Sequence, residues 1–172
     1  TFAALITGAN PVTTGVDFIM DAAKFIIFVG VSPDPKSAAI SGGLGSDTLT
    51  VHNVTLPFVD SKFAYAIGIE NFETELGTAK TYTFGLYAYA TGIQNIYAYS
   101  GDVLNAGGFS DGNPATTNDR ALNFVFATAA DAAAATITGT GAVGNDTLTL
   151  TTDAQAVTDA TFANKTSVET LV

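Results

Sequence analysis

Residues 42–50 read Gly42-Gly43-Leu44-Gly45-Ser46-Asp47-Thr48-Leu49-Thr50, and residues 141–149 read Gly141-Ala142-Val143-Gly144-Asn145-Asp146-Thr147-Leu148-Thr149. In each, glycines that take positive φ at no steric cost precede an Asp and then a stretch of alternating polar and apolar residues. The alternation puts Leu49 and Val51, or Leu148 and Leu150, on one face, which predicts a turn followed by a half-buried strand.

The resemblance extends well beyond the nonapeptides. Residues 45–73 align without a gap on 144–172, an offset of 99, with nine identities that include Asp60 on Asp159, Phe63 on Phe162 and Glu70 on Glu169. Upstream, 25–42 aligns on 122–139 at an offset of 97, where Asp34, Ala38, Ile40 and Gly42 meet Asp131, Ala135, Ile137 and Gly139. Farther upstream still, Asn10-Pro11-Val12-Thr13-Thr14 returns as Asn113-Pro114-Ala115-Thr116-Thr117. Three blocks in one order make the chain two copies of a unit of about 100 residues. The expected division is 1–109, with extra strands at 74–109, and a shorter unit at 110–172. The second copy stops at Val172, the partner of Glu73, and the first residue is Thr1 rather than Met, so a processed chain or a segment of a longer one is expected.

A shorter period sits inside the longer one. Phe63 to Asn71 resembles Tyr87 to Asn95 at a spacing of 24, and each Asp-Thr-Leu-Thr strand precedes a second strand (69–72, 168–171) by about 22. Strands that return every 22–24 residues suit the coils of a parallel β-solenoid, each stacked on the one before. The expected fold is therefore all-β, a parallel β-solenoid of two repeats; two tandem β-sandwich-like units are the alternative. A further alternating strand is expected over 81–89, helix only at 17–24 and in the alanine run 129–135, and loops at 32–37, 100–120 and 151–160.

Composition excludes several classes of function. The net charge is −10, from 16 acidic and 6 basic residues, although only 13% of the chain is charged. Scattered cations do not build a phosphate-binding surface, so neither nucleic acid nor anionic membrane is an expected partner. With 47% hydrophobic residues the chain is too apolar for a disordered acidic tail. It holds no Cys and one His, which removes thiol chemistry, disulfides and two-His zinc sites. The longest apolar run, 25–31, is strand-sized, so no membrane insertion is expected. Ala, Thr and Gly supply 71 of the 172 residues, a composition associated with proteins that bacteria export.

The stretch 42–50 satisfies the nonapeptide pattern Gly-Gly-x-Gly-x-Asp-x-U-x, where U is a large apolar residue, at each specified position; Ala142 replaces the second Gly in the other copy. Glycines let carbonyls turn inward, and the Asp carboxylate completes a calcium cage. On these residues the chain resembles RTX-type bacterial extracellular proteins, and more closely the β-solenoid parts of surface-layer proteins and large adhesins exported by the type I route. The resemblance covers 38–76 and 135–172. It implies secretion, calcium-dependent folding and assembly on a cell surface, with Asp47, Gly43 and Gly45, and Asp146 and Gly144, at calcium turns. Here each nonapeptide stands alone, whereas the family builds its sites between consecutive ones, so plain turn aspartates are the competing reading. A second candidate site is the loop holding Asp102, Asn105, Asp111, Asn113 and Asp119, whose oxygens suit a hard cation and whose composition equally suits a solvated turn.

His52 is matched by Thr151 and is read as a strand residue, not a base. Glu70 and Glu169 match across the copies but are expected on separate coils, not across a cleft. The tyrosines and Phe at 65, 82, 84, 87, 89, 97 and 99 are expected in an aromatic core or an interface, with a sugar platform as the alternative. The expected function is that of an extracellular, self-assembling structural protein with no catalytic site: a surface-layer, sheath or filament subunit, or an adhesin segment. Its expected partners are its own copies, through terminal strands, and cell-surface polysaccharide. A carbohydrate-binding or polysaccharide-degrading solenoid is the alternative.

Overall fold

A computed structural model describes residues 4–7, 18–19, 25–29, 40–52, 57–113, 120–140, 145–152 and 156–172. Alternation becomes strand where expected: Thr48–His52 is extended, with Leu49 and Val51 buried, and Thr147–Leu150 is extended, with Leu148 buried. Numbered in chain order, one eight-stranded sheet takes β1 (Ala4–Thr7), β3 (Phe25–Val29), β5 (Thr48–His52), β7 (Asn71–Glu73), β9 (Asn95–Tyr97), β11 (Asn123–Phe126), β13 (Thr147–Leu150) and β15 (Thr170–Leu171), in that spatial order. A three-stranded sheet takes β2 (Phe18–Ile19), β4 (Ile40–Ser41) and β6 (Ala66–Ile67). A four-stranded sheet runs β14 (Lys165–Thr166), β12 (Thr136–Thr138), β10 (Val103–Asn105) and β8 (Thr81–Thr83).

Each pairing among the described strands is parallel, so the antiparallel ladders of a β-sandwich are not seen among them. The structure is mostly strands in parallel sheets with few short helices. A parallel neighbour cannot be reached through a tight hairpin, so the chain must cross over between partners. Register gives the length of each crossing: Leu49 faces Phe72, 23 residues on, and Phe72 faces Ile96, 24 on. The step to Phe124 is 28, and the step from there to Leu148 is 24. The longer step accommodates the excursion through 100–120.

Aligned registers stack like on like. Leu49, Phe72, Ile96, Phe124 and Leu148 form one buried ladder in the large sheet, and Tyr82, Leu104 and Ile137 form another in the four-stranded sheet. Burying such side chains supplies roughly 1.5–3 kcal/mol each. One position before the apolar ladder runs a polar one: Asn95 Nδ2 donates to Asn71 Oδ1 (2.9 Å), and Asn123 Nδ2 to Asn95 Oδ1 (3.1 Å).

The duplication is visible element by element. The 3-10 turn Asp60–Phe63, β6 and β7 in the first copy correspond to the helix α3 (Asp159–Phe162), β14 and β15 in the second. The sheets continue across 109/110, because β9 pairs with β11 and β10 with β12.

Four expectations are corrected. Over 81–89 alternation holds only to Phe84; the helix α1 (Leu86–Thr91) follows, because Gly85 starts a turn whose N–H groups Asp60 accepts. The expected loop 100–120 contains β10, and 151–160 runs into α3. Within 17–24, Phe18–Ile19 is strand, not helix; the remaining positions of that candidate lie outside the described residues. The alanine run does form a helix, α2 (Ala129–Ala134), started by the Thr128 hydroxyl accepting from Asp131 N. The blocks at 10–14 and 114–117 also lie outside the described residues. No helix among the described residues is long and apolar enough to cross a membrane.

Candidate functional site

The two Gly-Asp turns start from glycines held against the neighbouring strands β6 and β14. Gly42 N donates to Ile67 O (2.8 Å) and Gly139 N to Thr166 O (2.9 Å). A Cβ at Gly42 would lie 1.6 Å from Gly68 O, and one at Gly139 would lie 1.9 Å from Ser167 O, so neither position accepts a side chain. The facing residues, Gly68 and Ser167, both take left-handed backbone, with φ of 66° and 54°.

Beyond each turn stands a fully buried aspartate, Asp47 or Asp146. Asp47 N donates to Glu70 Oε2 (2.9 Å), while Glu70 N and Asn71 N donate back to Asp47 O (3.2 and 3.0 Å). The same staple closes in the second copy: Asp146 N donates to Glu169 Oε2 (2.7 Å), and Glu169 N and Thr170 N donate to Asp146 O (3.0 and 3.1 Å). The matched glutamates therefore fasten one strand to the next. This accounts for their recurrence without any acid/base chemistry.

The carboxylates of the two aspartates differ. Asp146 Oδ1 accepts Leu122 N (2.7 Å) and Oδ2 accepts Thr140 N (2.6 Å). Burial pushes the Asp146 carboxyl above its ordinary range, with those two N–H groups opposing the rise and the nearby Glu169 charge adding to it. Asp47 has no exposed surface, and among the described residues neither of its carboxylate oxygens has a hydrogen-bond partner. Gly43 stands in the first copy where Thr140 stands in the second. A buried, unpartnered carboxylate is costly unless a cation or proton compensates it. Oxygen donors beside a glycine turn suit a hard cation such as Ca2+. Gly43 and Gly45 lie in the exposed part of this turn, Gly45 with φ of 124°; Gly144 lies outside the described residues.

The described residues of the second candidate loop serve separate hydrogen bonds. Asp102 is buried and accepts Thr74 Oγ1 (2.6 Å), Tyr99 N (3.0 Å) and Lys80 N (3.1 Å), so it ties three segments together. Burial raises its pKa, and these donors oppose the rise. Asp111 Oδ1 accepts Asn113 N (2.8 Å) and Asn105 Oδ1 accepts Gly107 N (3.2 Å), as turn residues do; Asp119 lies outside the described residues. Among the described residues no three or more His, Cys, Asp or Glu side chains gather to hold a metal.

The aromatic residues divide between core and surface. Tyr82 and Phe84 are buried with Phe63 and Phe72, where contacting ring centroids lie 5.3–5.9 Å apart. Tyr65, Tyr87 and Tyr97 are exposed. Tyr89 lies between, its ring under the Arg120 guanidinium at 4.2 Å. Tyr99 donates its hydroxyl to Glu73 Oε1 (2.7 Å). His52 ends β5 opposite Val29.

Two residues matter that motif reading passed over. Asp60 accepts Gly85 N (2.7 Å), Ala88 N (2.9 Å) and Tyr87 N (3.1 Å), capping α1 from the preceding coil. At the other end of that helix Thr91 Oγ1 lies within hydrogen-bond distance of three carbonyls that share its one proton, Tyr87 O (2.8 Å), Ala66 O (3.0 Å) and Phe63 O (3.2 Å). The identity of Asp60 with Asp159 was the available signal. No family model matches the chain, and no curated protein or solved structure matches it either.

Proposed function

We propose that the chain is a parallel β-solenoid of two repeats, acting as an extracellular structural protein that assembles with its own copies on a bacterial surface. The observation that supports this best is the large sheet, whose eight parallel strands follow chain order and pair across steps of 22 to 28 residues. Coils stacked in this way share one continuous core and give an elongated scaffold. Among the described strands, the outermost of that sheet, β1 and β15, each have one neighbour in it. An open parallel edge is a template for another strand, and edge-to-edge addition that does not close generates filaments or sheets. The duplicated carboxylates serve backbone N–H groups, so the proposal assigns the chain no catalysis. Exposed Tyr65, Tyr87 and Tyr97 offer flat amphipathic faces for surface polysaccharide as a second partner.

Calcium belongs to this proposal at the first turn, beside Asp47. A cation that binds only the folded state adds roughly 2.7 kcal/mol of stability at a hundredfold excess over Kd. Electron microscopy of the purified chain tests the whole reading. Ordered fibres or sheets in calcium that dissolve in chelator are expected. A monodisperse monomer that depolymerises glycans would overturn it and favour the carbohydrate-active alternative.

A further inference from the structure

The first Gly-Asp turn is gripped from the next strand by one amide side chain. Asn71, at the start of β7, is buried, and its Nδ2 donates to Ser46 Oγ (2.7 Å) and to Asp47 O (3.2 Å). The stretch 43–46 is exposed throughout, and Gly43 and Gly45 carry no side chain that could anchor it. Asp47 is held on both sides of its backbone. Its N–H goes to Glu70 Oε2, and its carbonyl oxygen takes Glu70 N, Asn71 N and Asn71 Nδ2. The carboxylate then lies over Gly42, where a Cβ would come within 2.8 Å of Asp47 Oδ2.

The Asn71 amide is itself oriented. Its Oδ1 accepts Asn95 Nδ2 (2.9 Å), which leaves its Nδ2 to face the turn. Asn95 Oδ1 accepts Asn123 Nδ2 (3.1 Å), and Asn123 Oδ1 accepts Thr149 Oγ1 (2.7 Å). Every donor in this row points toward the first turn, so hydrogen bonds that begin on β13 terminate at Ser46 and Asp47. In the second copy Thr170 stands where Asn71 stands; it is exposed and has one hydroxyl in place of the amide. The amide clamp thus accompanies the aspartate without partners, and the threonine accompanies the one that takes two backbone N–H groups.

We infer that Asn71 is a positioning residue for the cation turn: its amide, aligned by Asn95, fixes Ser46 and Asp47 so that the buried carboxylate is preorganised for a divalent cation such as Ca2+. Neither Asn71 nor Asn95 serves as a ligand, because both spend their amides within the row. A ligand group fixed before binding loses little freedom when the ion arrives, so the clamp acts on affinity and not on stability alone. The inference deepens the calcium reading above and rests on it.

The test titrates calcium chloride into the chelator-treated full chain by calorimetry, with Tm recorded in calcium and in chelator. Asn71→Thr, which installs the residue of the second copy, is expected to weaken calcium binding about tenfold. Asn95→Ala, which leaves the Asn71 amide free to turn over, is expected to weaken it about threefold. Asn123→Ala is the control: it interrupts the row one strand farther on but keeps the Asn95–Asn71 bond. It is expected to lower Tm in chelator and to leave calcium affinity within about twofold of the parent chain. If the parent chain itself takes up no calcium, the calcium reading fails and the inference falls with it. If the parent binds and Asn71→Thr binds equally well, the positioning role alone is overturned. Equal losses of affinity in Asn71→Thr and Asn123→Ala would also overturn it, since general stability would then account for both.

Discussion

The turns at 42–47 and 139–146 share their glycine, their buried aspartate and their Asp–Glu staple, yet they treat the aspartate's charge in opposite ways. Asp146 is enclosed by two backbone N–H donors, whereas Asp47 is equally buried with neither oxygen partnered among the described residues. Duplication has preserved what fastens one coil to the next. What compensates the carboxylate at Asp146 is the pair of backbone N–H groups of Leu122 and Thr140, and no such pair reaches Asp47 among the described residues.

The largest effect expected on this comparison is at its glycines. Gly42→Ala is expected to cost about 3 kcal/mol in chemical denaturation, since the new methyl meets the Gly68 backbone between two fixed coils. Gly139→Ala meets Ser167 in the last described coil, whose strand β14 has one neighbour, so a smaller loss of roughly 1–2 kcal/mol is expected. Equal losses would show that the terminal coil is as firmly held as the interior.

The aspartates come next. Asp146→Ala strands two buried N–H groups and is expected to cost about 2 kcal/mol with or without calcium. Asp47→Ala is expected to be neutral or stabilising in chelator, where it removes a buried carboxyl group with no partner among the described residues, and to lower Tm only in calcium. Matching losses for both variants in chelator, read by calorimetry, would remove the distinction drawn between the turns.

The smallest effect is in pH. Burial holds the Asp102 and Asp146 carboxyls above their ordinary value of 3.8. Between that value and the raised one the folded chain holds more protons than the unfolded, so this contribution to stability is present at low pH and lost as pH rises. Tm is therefore expected to climb as pH falls towards the ordinary carboxyl value, and Asp146→Asn to make the slope shallower. A slope unchanged by the substitution would assign it to the general repulsion of a chain with net charge −10.

Much of the strand layout was legible because period and burial coincide. Thr48-Leu49-Thr50 and Thr147-Leu148-Thr149 announce strands locally, and the 24-residue echo of Asn71 at Asn95 is a true register partner. The third member of that ladder, Asn123, was hidden because its step is 28 residues. Strand β10 was hidden for a related reason: Val103-Leu104-Asn105 is too short and too closely flanked by Gly and Asp to show a period, and it exists because β8 and β12 flank it. The helix α1 was masked by the aromatic alternation Tyr82-x-Phe84, which continues by composition into Tyr87 and Tyr89 although the backbone has already turned at Gly85. At the candidate site, spacing located both aspartates but could not show which would be satisfied, since that depends on N–H groups brought in by the fold.

The central claim is that strands separated by one coil are parallel neighbours in fixed register. Thr81, Val103 and Thr136 are exposed partners in the four-stranded sheet, Thr81 beside Val103 and Val103 beside Thr136. Neighbouring strands lie about 4.8 Å apart, within disulfide reach, and next-nearest strands lie roughly twice as far. The chain has no cysteine of its own to interfere. Mild oxidation of the Thr81→Cys/Val103→Cys chain should therefore give an intramolecular disulfide with no loss of Tm, and the Thr81→Cys/Thr136→Cys chain should stay reduced. A disulfide between 81 and 136, or none between 81 and 103, would contradict the stacked parallel coils.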